Sequence, residues 1–142
     1  MVIIARYTTQ PEGQAALDMA VEEARRSEGK LVLAQARPEP RGESQSHVTA
    51  WLASLDDLRK SGQQLETRLQ EQGIDARYQL LEQSSESPGA QILSLAKRLG
   101  ADLIVIGVRR RSAVGKLVLG SASQEILLGA ECPVLAVKAP RT

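Results

Sequence analysis

Apolar and polar positions follow two regimes along the chain. Residues 2–7, 31–36, 76–81, 103–106 and 134–137 are short runs rich in consecutive apolar side chains. Between them lie longer stretches in which apolar residues recur three and four positions apart. The runs read as buried strands and the stretches as amphipathic helices. Pro11 opens the first helix, where Leu17, Ala20, Val21 and Ala24 make the inward stripe, and Gly29 is expected to end it. A Pro- and Gly-rich loop over 37–42 leads to a long polar helix from about 48 to 72. Its stripe is Leu55, Leu58, Leu65 and Leu69, with Gly62 as a weak interior point. Ser87 and Pro88 have the form of an N-cap followed by proline at the first helical position; Ile92, Leu95, Ala96 and Leu99 then face inward as far as Gly100. Residues 108–119 read as a basic connection, 121–130 as a short helix, and 134–137 as the last strand.

The resulting order is β-α-β-α-β-α-β-α-β. Strands apolar on both faces belong to a parallel sheet covered by helices on both sides. Right-handed crossovers make this a doubly wound three-layer α/β/α sandwich of five strands. No internal repeat, low-complexity tract or linker interrupts it, so a single domain over 1–142 is expected.

Composition narrows the function. Eighteen Lys and Arg against seventeen Asp and Glu leave a net charge of +1 over 142 residues, too even for a general nucleic-acid or anionic-membrane coat. One Trp, two Tyr and no Phe cannot build a base-stacking platform for single strands, so no nucleic-acid partner is expected. The longest apolar run, 103–107, falls far short of the ~20 residues of a membrane span, and no membrane partner is expected. The first six residues carry no basic segment ahead of their apolar run, so no signal peptide is read. The single cysteine, Cys132, excludes an internal disulfide and a cysteine-based zinc cluster, and is read as packing at a strand start. Together these point to a reduced, cytoplasmic setting. The one histidine, His47, is read as a surface residue near a helix start. Asp56, Asp57, Glu22 and Glu23 are read as solvated helix charge. No nucleophile–base pair and no paired carboxylates are seen in a plausible cleft, which weighs against catalysis.

In an open parallel sheet, ligands bind beyond the carboxyl ends of the strands where strand order reverses. That directs attention to Thr8-Thr9-Gln10 and to residues 107–120. The second loop carries Arg109, Arg110, Arg111 and Lys116 and no acid. Gly107 follows the strand and would admit a ligand near the backbone, or would simply allow a turn. Gly120-Ser121 opens the next helix, whose free N–H groups and dipole favour an anion, although serine also suits a plain N-cap. A phosphate-bearing ligand fits this chemistry. Gly115-Lys116 is not a Walker A end, because Leu117 stands where Ser or Thr belongs, and there is no G-x-G-x-x-G.

The order of elements and this loop resemble the universal stress protein family. Its nucleotide-binding members carry G-x2-G-x9-G-(S/T) here; Gly107, Arg110 and Gly120-Ser121 fall in that frame without a gap. The segments 101–107 and 132–137 resemble the family's fourth and closing strands, and the likeness spans essentially the whole chain. It implies a Rossmann-like, flavodoxin-like sheet of strand order 3-2-1-4-5. It also implies a stress-response protein that binds ATP or another adenine nucleotide at the carboxyl ends of strands one and four, with Mg²⁺ only alongside the nucleotide. The residues carried over to that site are Thr8, Ala36, Gly107, Arg109, Arg110, Gly120, Ser121 and Ala122. A homodimer through the last strand, Val134, Leu135, Ala136 and Val137, is implied as well, and an apolar edge strand left bare would be a liability. Two positions depart from the frame. Arg110 stands at its second glycine, either obstructing phosphates or binding them. Thr8 stands at its strand-one aspartate, where a hydroxyl bonds with either polarity. The alternatives are therefore an interaction or scaffold dimer without nucleotide, and a slow nucleotide hydrolase or phosphotransferase.

Overall fold

The computed structural model describes residues 1–110 and 117–139, with the backbone alone at Arg110, Leu117 and Val118. Its elements are β1 (Val2–Arg6), α1 (Pro11–Ser27), β2 (Lys30–Gln35), α2 (Gln45–Glu71), β3 (Asp75–Leu80), α3 (Pro88–Leu99), β4 (Leu103–Arg110), β5 (Leu117–Val118), α4 (Ser121–Gly129) and β6 (Val134–Lys138). Five strands are parallel in the order β3-β2-β1-β4-β6, with Ile4 of β1 opposite Val32 on one side and Ile104 on the other. This is the expected 3-2-1-4-5 sheet.

Two apolar layers hold it. On one face, Ala16, Leu17, Ala20 and Ala24 of α1 and Leu65 and Leu69 of α2 pack on Ile3, Ala5, Leu31, Leu33 and Val105. On the other, Ile92 and Leu95 of α3 and Ile126 of α4 pack on Ile4, Val32, Ile104 and Ile106. The alternation of a strand's side chains sends neighbours to opposite layers, which is why the middles of β1, β2 and β4 are apolar at consecutive positions.

Three boundaries differ from the sequence reading. β4 continues through Arg110, and β5 folds back antiparallel on its tip, pairing Arg109 with Val118 and Arg110 with Leu117. Residues 108–119 are thus partly a ribbon, hidden by arginines that carry no strand-like alternation. α2 begins at Gln45 rather than 48; the Ser44 hydroxyl accepts the His47 N–H at 3.2 Å and caps it. At the end of α1 the left-handed residue is Glu28 (φ 51°), one before Gly29.

The two sheet edges are treated differently. Along β3, Glu66 of α2 accepts the Tyr78 N–H at 2.7 Å and Gln70 donates to the Ala76 carbonyl at 2.9 Å. Side chains thereby occupy ladder positions that another strand would take. β6 pairs with β4 along one edge.

Candidate functional site

β1 lies between β2 and β4, so the chain reverses its winding direction there and a crevice opens at its carboxyl end. The Tyr7 N–H extends the ladder to the Ala34 carbonyl at 2.8 Å, and the Thr8 hydroxyl accepts the Gln10 N–H at 3.3 Å. This turn leads into α1, whose first turn holds Pro11 and Glu12.

A cavity of about 730 Å³ sits beside it, over the ends of β1 and β2 and under the start of α2. Its described wall includes Arg6, Tyr7, Thr8, Ala36, His47 and Trp51. The Trp51 indole N–H donates to the Pro38 carbonyl at 2.7 Å, pinning α2 over the loop that follows β2. Arg37 donates from Nε to the Leu81 carbonyl at 2.7 Å and approaches Glu82 at 3.5 Å. The volume and mixed lining are those of a small-molecule site. His47, expected as a surface residue, is exposed and bonds through Nδ1 to Ser44, yet it also lines this cavity.

The tip of β4 is a second cluster. Gly107 lies within the strand, and a Cβ there would overlap the Glu12 carbonyl; its missing side chain makes room for the start of α1. Arg109 meets Glu12, Nη2 to Oε1 at 3.2 Å, with Glu12 16% exposed and Arg109 59%. Arg6, at the end of β1, is half-buried; burial lowers its pKa, with Glu12 opposing that shift. Among the described residues, Arg6 Nε is the one buried side-chain polar atom without a hydrogen-bond partner.

The third group is the start of α4. Gly120 is the N-cap, with no side-chain cap, and Ser121 and Ala122 begin the helix. Gly120 has φ −64° and ψ 164°, which any residue adopts, and a Cβ there would meet nothing within 4 Å. Neither backbone conformation nor packing requires a glycine at this position. Ser121 is exposed and Ala122 buried.

The structure therefore brings Thr8 and Ala36 into one cavity wall, puts Gly107 and Arg109 on β4 against α1, and puts Gly120, Ser121 and Ala122 at the mouth of α4. Arg110 is placed by its backbone in β4; Arg111 and Lys116 lie outside the described residues. Sequence reasoning missed Arg6 and Trp51. A lone charge closing an apolar strand, and a Trp on an otherwise polar helix, were the available signals. Cys132 is half-buried just before β6, and burial pushes its thiol pKa up, away from thiolate reactivity. No helix of the described residues is long and apolar enough to cross a membrane.

An α/β sandwich with a built crevice at its winding reversal is the class of protein these features define. The family model described as "Universal stress protein family" matches residues 2–138, and the chain belongs to that family. It is 31% identical over 137 residues to a universal stress protein of Mycolicibacterium smegmatis, covering 96% of this chain and 97% of that one. Among solved structures, a universal stress protein from Lactobacillus plantarum superposes with TM-score 0.73 at 16% identity, over 96% of this chain and 97% of that one. One from Archaeoglobus fulgidus, in complex with dAMP, gives 0.62 at 20% identity over 96% of each chain.

Proposed function

We propose that this chain, acting as one domain over 1–142, is a stress-response regulator that binds an adenine nucleotide, ATP included, across the carboxyl ends of β1 and β4. The observation that carries this is Gly120. A side-chain-free N-cap that neither backbone nor packing demands leaves the first N–H groups of α4 open to an anion. Thr8 and Ala36 then line the space for the base and ribose, and Ser121 and Ala122 present their N–H groups to the phosphates. Arg109 and Arg110 lend positive charge beside Gly107. Any Mg²⁺ arrives with those phosphates. The Archaeoglobus relative bound to dAMP supports the ligand class. A homodimer through Val134, Leu135, Ala136 and Val137 belongs to the same reading, as does a cytoplasmic setting suited to one unpaired cysteine.

Ser121→Asp tests the site. A carboxylate in the first turn suits the helix dipole, so the fold should hold its melting temperature. Calorimetric ATP affinity should nevertheless fall by about tenfold or more, through like-charge repulsion. Unchanged affinity in the folded variant would move the phosphates elsewhere.

One specific observation favours the second reading, a scaffold dimer without nucleotide. Arg109 is already held by Glu12, and the space above Gly107 is filled by the same residue. Calorimetry on the wild-type chain separates the two.

A further inference from the structure

The orphaned Arg6 Nε has a consequence for the ligand. Burying a guanidinium N–H without an acceptor is unfavourable, and the described chain offers it none. Glu12, the acid whose charge it feels, already bonds to Arg109 at 3.2 Å. Among the other arginines of the cavity wall, Arg37 is committed to the Leu81 carbonyl and Glu82, and Arg41 is exposed on the loop after β2. Glu39 and Asp57 bring carboxylates to the same wall, but both are exposed and neither bonds to Arg6. Arg6 follows Ile4 by two positions, and strand alternation places it on the face that carries α3 and α4. It therefore belongs both to the cavity wall and to the side of the sheet where α4 begins.

We infer that Arg6 is a specificity-determining residue of the cavity: its guanidinium takes a phosphate oxygen of the ligand, so the site selects nucleotides over nucleosides. This rests on the nucleotide reading above. A guanidinium suits the role because its fixed N–H fork matches phosphate oxygens and stays charged even when partly desolvated.

The test compares AMP with adenosine by calorimetry, on the wild-type chain and on Arg6→Met, which keeps an apolar stem of similar reach. Wild type should bind AMP more tightly than adenosine, and Arg6→Met should shrink that preference by about tenfold, with adenosine affinity little changed. Ligand-free Arg6→Met should melt no lower than wild type, because an unpaired buried donor has been removed; a purely structural arginine would lower it. Arg6→Lys should recover part of the preference. A folded Arg6→Met with an unaltered AMP-to-adenosine ratio overturns this inference and leaves the nucleotide reading standing. If wild type binds neither compound, the nucleotide reading falls and this inference with it. Should Arg6→Met unfold, Arg6→Gln carries the same comparison to the same two outcomes.

Discussion

Gly107 and Gly120 occupy equivalent places in a motif frame but answer to different physics. The absent side chain at Gly107 is required by the fold, since a Cβ would overlap a backbone carbonyl of Glu12 that cannot move without shifting α1. Gly107→Ala should therefore cost about 1–3 kcal/mol by overpacking, visible as a lower urea midpoint. Gly120→Ala meets no such overlap, and its cost should be the smaller one of a poorer helix cap, about 0.5–1 kcal/mol. Equal losses would show that the two glycines share one structural role. Thr8, read only as a replaced carboxylate, also has local work: its oxygen accepts the Gln10 N–H and holds the turn into α1. The spacing of Gly107, Gly120 and Ser121 was legible as sequence because it is local. The Glu12 contacts at Gly107 and Arg109 were not, because they join residues 95 or more positions apart.

At the scale of elements, α1, α3 and the buried strands were readable because burial imposes their periodicity. The start of α2 and the β4–β5 ribbon were not, because Gln45, Ser46 and His47, like the arginines after Val108, carry no apolar signal. Gly62 shows propensity overridden by packing. In isolation a helix gains about 1 kcal/mol from Gly→Ala. Here a Cβ would overlap the Tyr78 ring, so Gly62→Ala should instead destabilise the protein, by about 1–3 kcal/mol in urea. That ring matters because the Tyr78 hydroxyl bonds to buried Gln35 and to the Leu58 carbonyl, joining α2, β2 and β3. Burial first, and Tyr7 second, push its pKa up to about 12, with Arg59 opposing. An unfolded tyrosine ionises near pH ~10, so between there and 12 the unfolded chain releases a proton that the folded chain keeps. Stability should fall across that window, and Tyr78→Phe should lessen the fall. Parallel urea midpoints for both proteins at pH 9 and 11 check it; identical pH slopes would contradict it.

The whole molecule presents two unequal edges. Side chains of α2 block β3, while β6 carries Val134, Leu135 and Val137, all partly buried, and follows a helix end where Leu128 is 89% exposed. Pairing of two β6 strands about a two-fold axis would cover such an edge. On the proposed pairing, wild type should sediment as a dimer and Leu135→Lys as a monomer, and a wild-type monomer or an unchanged variant dimer would contradict that interface. Charge is unevenly spread along the chain. The stretch 107–118 holds four cations and no acid, so the remaining chain carries 1 − 4 = −3. Of these four, Arg109 stands at the tip of β4 paired with Glu12, while Arg111 and Lys116 lie outside the described residues.

Calorimetric titration of the purified wild-type chain with ATP, at two temperatures so that a vanishing enthalpy cannot hide binding, decides whether the crevice takes a nucleotide. Saturable heat with one nucleotide per chain is the predicted result, with a stability gain of about 2.7 kcal/mol at a hundredfold excess over Kd. No heat with millimolar ATP at either temperature would contradict nucleotide binding and favour a scaffold dimer without nucleotide.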